Sequence, residues 1–165
     1  MSRAVLSVGS NLGDRLAHLQ GVLDGLGRAV VACSSVCSTA PWGGVEQQDF
    51  LNAVLVVEDP ARDAAAWLRA GRALEEAARR ERRTRWGPRT LDVDVLDCDG
   101  LVSDDPELLL PHPRAHERAF VLVPWAEVDP GAVVVGRGSV QDLLAVLDPA
   151  ERAGVHRTGL VLVRR

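Results

Sequence analysis

The 165-residue chain contains no lysine and no tyrosine, and only 4% of its residues are aromatic. Without lysine there is no Walker-type Gly-Lys-Ser/Thr phosphate loop and no kinase-type catalytic lysine, so any phosphate chemistry here must rest on arginine and metal. Cysteine is scarce and odd in number: Cys33, Cys37 and Cys98 lack Cys-x-x-Cys spacing. That arrangement suggests neither a disulfide framework nor a structural zinc, and points to buried, inert thiols. No apolar run is long enough to cross a bilayer, and Met1-Ser2-Arg3 leads directly into a short apolar strand rather than a signal-peptide core. The expectation is a cytoplasmic protein with no membrane partner. A net charge of −4 argues against a general nucleic-acid binder.

The composition that is present, 47% hydrophobic and 25% charged, suits one globular domain over residues 1–165 with a core of useful size. The basic residues are unevenly placed. Arg79, Arg80, Arg82, Arg83, Arg85 and Arg89 crowd one segment, which runs straight into Thr90-Leu91-Asp92-Val93-Asp94-Val95. Leu91, Val93 and Val95 alternate with Asp92 and Asp94, the period of a strand with one apolar and one polar face, so both carboxylates project the same way. Their Cα atoms would stand about 7 Å apart, a span over which two carboxylates can bracket Mg²⁺ while phosphate oxygens complete its shell. Asp-x-Asp alone is more often a solvated strand face. The neighbouring Trp86, the fixed turn Gly87-Pro88 and Arg89 shift the balance toward a metal and phosphate site.

The rest of the chain orders itself around that strand. Ala4 to Val8 reads as a buried strand, and Gly9 to Asp14 as a turn in which Asn11 or Asp14 caps a helix. Leu16, Leu19, Val22, Leu23 and Leu26 recur at helical spacing, and Gly27 stops the helix. Val30 to Ser38 is expected to be a second strand and Ala40 to Gly44 a loop. Phe50 to Glu58 should form a third strand, and a helix should run from near Asp63 to about Arg80 with Trp67, Leu68, Gly71, Leu74 and Ala78 on one stripe. The order strand, helix, strand, strand, helix, strand is that of an α+β, ferredoxin-like core, an antiparallel sheet with helices packed on it. A C-terminal elaboration follows: a loop over Leu101 to Leu110, a rigid turn at Pro111 to Arg114, an apolar segment over Arg118 to Val123, a helix over Val140 to Leu147, and edge strands at Val133 to Val135 and Gly159 to Val163. Arg164 and Arg165 read as a frayed end.

Four stretches, Val8-Gly9-Ser10-Asn11-Leu12-Gly13-Asp14, Asp49-Phe50-Leu51-Asn52-Ala53, Arg85 to Asp94 and Pro111-His112-Pro113, occur in the order found in the 6-hydroxymethyl-7,8-dihydropterin pyrophosphokinase family, which the chain resembles over nearly its whole length. The resemblance implies a ferredoxin-like fold. It also implies transfer of the β,γ-pyrophosphoryl group of ATP to the hydroxymethyl oxygen of a reduced pterin, releasing AMP, in folate synthesis. By resemblance Asp92 and Asp94 hold two Mg²⁺ ions, and Arg80, Arg82 and Arg89 contact the phosphates. Glu75, Trp86, Val95, His112 and Arg118 match positions around the nucleotide. Thr39, Ala40, Trp42, Phe50, Asn52 and Phe120 match the pterin side. On the residue pattern alone, Glu75 is equally a surface helix residue, Val95, Phe50 and Phe120 core, His112 a turn residue and Arg118 a snorkelling surface cation.

The chain departs from the family pattern in carrying Arg79 where many members have glycine, Ala40 where proline is common, Trp42 where a smaller apolar residue is usual, and Pro113 where some members carry an aromatic. A monomer acting on small molecules is expected. Two other readings fit parts of the pattern: a metal-dependent phosphotransferase with a different acceptor, and a non-catalytic RNA-binding module on the same sheet. The second is disfavoured by the shortage of aromatics for base stacking and by the acidic Asp92/Asp94 face.

Overall fold

A computed structural model of the chain describes residues 2–40, 48–80 and 90–165, without the side chains of residues 79 and 80. Five strands and two helices form the first half: β1 (Arg3–Ser10), α1 (Arg15–Leu26), β2 (Val30–Cys33), β3 (Cys37–Thr39), β4 (Phe50–Glu58), α2 (Ala64–Arg80) and β5 (Asp92–Cys98). Asp14 caps α1 by accepting the Ala17 N–H at 3.1 Å, and Asp63 caps α2 by accepting the Ala66 N–H at 2.8 Å. The second half contributes a hairpin, β6 (Ser103–Asp105) and β7 (Leu108–Leu110), then α3 (Ala119–Val128), a two-residue ribbon of β8 (Val133–Val134) and β9 (Gly138–Ser139), α4 (Val140–Val146), α5 (Pro149–Ala153) and β10 (His156–Arg157).

The main sheet runs β10-β3-β4-β1-β5 with β2 also paired to β4, and every pairing in it is antiparallel. Alternation along β1 divides its two faces. Ala4, Leu6 and Val8 join Leu19, Val22, Leu23 and Trp67 in a core beneath α1 and α2. Val5 joins Val54 and Leu96 in a second core, against Leu122 and Trp125 of α3 and Leu144 of α4. Each fully buried aliphatic side chain in these layers stabilises the fold by about 1.5–3 kcal/mol. Gly71 permits the close approach of α2 to β5, since a β-carbon there would stand 3.0 Å from Val93 Cγ1.

The expected split β-α-β order is present, with five differences. β1 runs on through Gly9 and Ser10, expected to open the turn, because both pair with β4, opposite Asn52 and Leu51. The segment expected as one strand over Val30 to Ser38 is broken between β2 and β3, because Ser34 leaves the ladder: its N–H donates to Val54 O at 2.9 Å and its Oγ accepts the Val54 N–H at 2.9 Å. The loop expected over Leu101 to Leu110 holds the β6/β7 hairpin. Gly159 to Val163 is not a ladder strand; the strand lies earlier, at β10, paired with β3. The C-terminal arginines are tied down, Arg164 Nη1 donating to Val31 O at 2.7 Å and Val30 O at 3.3 Å.

Candidate functional site

α3 and α4 cover only one end of the sheet's second face. Val5, Val54 and Leu96 lie beneath them, whereas the next residues along the same strands on that face are Ser7 and Gly9, Asn52 and Phe50, and Asp94 and Asp92. The register sets these groups in rows: Ser7 stands between Val54 and Asp94, and Gly9 between Asn52 and Asp92. The uncovered end is therefore the floor of a cleft of about 820 Å³.

The two carboxylates expected on one face do share it. Asp92 and Asp94 are half-buried and line the cleft, while Val93 and Val95 are buried in the core on the other side. Val95 was expected beside a nucleotide; its side chain packs beneath the helices, so any such contact would come from its backbone. Among the described residues no group of three or more His, Cys, Asp or Glu side chains could hold a metal. A hard cation on Asp92 and Asp94 would fill its remaining positions with phosphate oxygens and water, which is how Mg²⁺ is usually bound at phosphate-handling sites.

At the other end of the floor, Asn52 is 4% exposed and its Nδ2 donates to Thr39 Oγ1 at 3.0 Å. Thr39, Ala40, Phe50 and Phe120, all expected on the acceptor side, line the same cleft. Phe50 and Phe120 are half-buried rather than fully buried in the core, and both line the cleft. Arg118 also lines the cleft and stacks its guanidinium over Phe120, 5.5 Å from the ring centroid and so inside the reach of about 6 Å for a cation–π contact.

His112 is half-buried in the turn after β7, its N–H donating to Leu96 O at 3.0 Å. Its Nδ1 accepts the Arg114 N–H at 3.2 Å, which leaves the proton of the neutral ring on Nε2. Burial holds this imidazole below the usual histidine range, with Arg118 and Arg114 acting in the same direction and Asp94 opposing them. Glu75 is half-buried on α2 and is not part of the cleft lining. Arg82, Trp86, Arg89 and Trp42, together with the side chain of Arg80, lie outside the described residues.

Several cleft residues were not anticipated from sequence. Ser7 and Gly9 interrupt the apolar face of β1 with small residues, a signal that alternation could have exposed. Arg114 and Glu117 form a rim, paired at 3.7 Å. Ala150, Glu151, Gly154 and Val155 form a wall that no local pattern announces.

Fold and site together define an α+β protein whose open sheet end joins a pair of carboxylates to a pocket lined by two phenylalanines and a pinned amide. Residues 5–130 match the family described as 7,8-dihydro-6-hydroxymethylpterin-pyrophosphokinase (HPPK). The chain is 54% identical over 175 residues to a Mycobacterium leprae protein named 2-amino-4-hydroxy-6-hydroxymethyldihydropteridine pyrophosphokinase, covering 98% of this chain and 92% of the relative. It is 52% identical over 168 residues to the Mycobacterium tuberculosis H37Rv protein of the same name, covering 94% and 89%. In structure it is similar to Plasmodium falciparum HPPK-DHPS, with a TM-score of 0.66 at 13% identity over 87% of this chain. This chain spans 45% of that solved chain, and at 13% identity the likeness speaks for the fold alone. The chain belongs to the 7,8-dihydro-6-hydroxymethylpterin-pyrophosphokinase family.

Proposed function

We propose that this protein transfers pyrophosphate from ATP to 6-hydroxymethyl-7,8-dihydropterin, giving AMP and the pterin diphosphate. The observation that carries the reading is the sharing of one cleft, in a chain of this family, by Asp92 and Asp94 at one end and Asn52, Thr39, Phe50 and Phe120 at the other. Asp92 and Asp94 would hold Mg²⁺, as two ions, which when bound neutralises the triphosphate and polarises the phosphorus under attack.

The chain's own groups supply position. Phe50 and Phe120 flank the heterocycle. Asn52, pinned by Thr39, keeps its carbonyl and one N–H for the donor and acceptor edge of the ring. Arg118 places a cation between the pterin side and the phosphates while its stacking on Phe120 couples the two halves of the pocket. His112, held neutral, presents an Nε2–H donor to the nucleotide. Arg80, Arg82 and Arg89 are assigned to the phosphates, and Glu75, Trp86 and the Val95 backbone to the nucleotide, from the family resemblance. Alignment of the pterin hydroxyl with the β-phosphorus by these contacts accounts for much of the expected acceleration.

The test is the nucleotide product formed from ATP, Mg²⁺ and 6-hydroxymethyl-7,8-dihydropterin. Pterin-dependent AMP with pterin diphosphate is expected. ADP would mean ordinary phosphoryl transfer, and no pterin-dependent product would remove the assignment.

A further inference from the structure

The wall of the cleft opposite the carboxylate pair comes from the last part of the chain, beyond residues 5–130 that match the family. α5 is a single turn. Asp148 caps it by accepting the Ala150 N–H at 2.9 Å, Pro149 starts it, and Gly154 closes it by donating to Ala150 O at 3.1 Å. Its position is fixed from both sides. Arg152 Nη1 donates to Leu144 O of α4 at 3.4 Å, and the chain leaving α5 enters β10, where His156 pairs with Ser38 and Arg157 with Cys37. That pairing sets Val155 beside Thr39, the residue that pins Asn52. The wall and the Asn52 end of the floor are thus joined by one strand register.

Glu151 is the acidic residue of this wall. It is half-buried, lines the cleft, and has no side-chain hydrogen bond or ion pair among the described residues. The other carboxylates of the cleft are accounted for: Asp92 and Asp94 belong to the cation, and Glu117 pairs with Arg114 at 3.7 Å and lies 3.5 Å from His116. A 7,8-dihydropterin carries four N–H donors, two on the 2-amino group and one each at N3 and N8. Thr39 and Asn52 are already bonded to each other and cannot accept all of them. A carboxylate is the natural acceptor for the excess, and its hydrogen bonds are charge-assisted.

We propose that Glu151, on the C-terminal wall, is a specificity-determining residue that accepts the 2-amino N–H donors of the bound heterocycle. The inference rests on the pterin reading above. It makes acceptor selectivity depend in part on a segment that lies beyond residues 5–130, and it predicts that 2-amino-4-oxo heterocycles are preferred over 2,4-dioxo ones.

Isothermal titration of wild type and Glu151→Gln, each with Mg²⁺ and α,β-methylene-ATP present, would use two probes: 6-hydroxymethyl-7,8-dihydropterin and its analogue with oxygen in place of the 2-amino group. Glu151→Gln is expected to weaken the pterin about tenfold or more while changing the dioxo analogue by less than about twofold. Nucleotide affinity and the thermal midpoint should stay at wild-type values. Equal weakening of both probes, or of neither, would overturn the role of Glu151 while leaving the pterin assignment intact. A wild-type protein that binds neither probe and forms no pterin diphosphate would overturn both. Glu151→Asp separates charge from packing: a specificity role predicts that it keeps the preference for the 2-amino ligand, and loss of that preference with Asp would count against it.

Discussion

Asn52 lies across Gly9: a β-carbon built on Gly9 would stand 2.8 Å from Asn52 Oδ1. The two residues face each other in the β1/β4 ladder, and the missing side chain is what lets the amide lie flat on the floor with its Nδ2 on Thr39. Gly9→Ala should therefore turn Asn52 out of place and break that bond. About a tenfold rise in KM for the pterin is expected, with little change in KM for ATP, as read by steady-state kinetics with each substrate varied in turn.

Asp94 stands opposite Ser7 in the floor and away from both hydrophobic cores. Asp94→Ala should cost Mg²⁺-dependent turnover about a thousandfold or more, the scale of several kcal/mol expected for a metal-stabilised transition state. Folding should survive, so circular dichroism and the thermal midpoint should stay near wild type. Retention of full turnover would remove Asp94 from the mechanism.

Asp97 gives the fold a pH dependence of definite sign. Burial raises its carboxyl above the usual range, with Asp99 adding and the 3.4 Å bond from the Gly100 N–H opposing. Its Oδ1 is buried with no hydrogen-bond partner among the described residues. Because the native pKa exceeds the unfolded one, the native state holds this proton more tightly. The resulting stabilisation is complete below about pH 4 and is lost as pH rises through the native pKa, so at neutral pH the ionised group is a net cost. Asp97→Asn should raise the urea midpoint at pH 7, and its advantage should shrink on acidification toward pH 4. An advantage that grew on acidification would contradict this account.

Cys33 should be a slow nucleophile. Burial pushes its thiol up to about 11, with Glu127 adding and Arg164 opposing. At pH 8 only about a thousandth of it is thiolate, so iodoacetamide should label native Cys33 far more slowly than a free thiol, with a rate still climbing at pH 10. Peptide mapping after timed alkylation would measure this, and a rate that levelled off near pH 9 would contradict it.

The sequence carried the parts of this molecule that depend on alternation and short spacing. β4 has the expected limits at Phe50 and Glu58, α1 ends where Gly27 stands, and Asp92 and Asp94 share the face their spacing requires. Features made by distant partners were not legible. Ser34 breaks the expected long strand by using its hydroxyl on Val54, twenty residues away. On β5, Val5 pairs with Asp97 and Leu6 with Val95, so Leu96 is an extra residue and simple alternation fails beyond it. Leu96 keeps the face of Asp92 and Asp94 that alternation gives it, packing beneath α3 and α4, and the extra residue shows in Asp97, which comes opposite Val5. The α5 wall depends on β10 finding β3 across more than a hundred residues of chain, and nothing in Pro149 to Val155 announces that partner.

From that wall the chain wraps around the edge of the sheet. It leaves α5 on the cleft side, passes β3, and is gripped on the far side, where the Gln20 side chain exchanges two hydrogen bonds with the Val163 backbone, at 2.7 and 2.9 Å, and Leu162 packs against the core beneath α1 and α2. Arg165 ends within 3.8 Å of Asp24 on α1. A protein or reporter joined after Arg165 would thus emerge on the helical back of the molecule, clear of the mouth of the cleft, and a pull applied there would load the Gln20 clasp and the β3/β10 pairing before it reached Glu151.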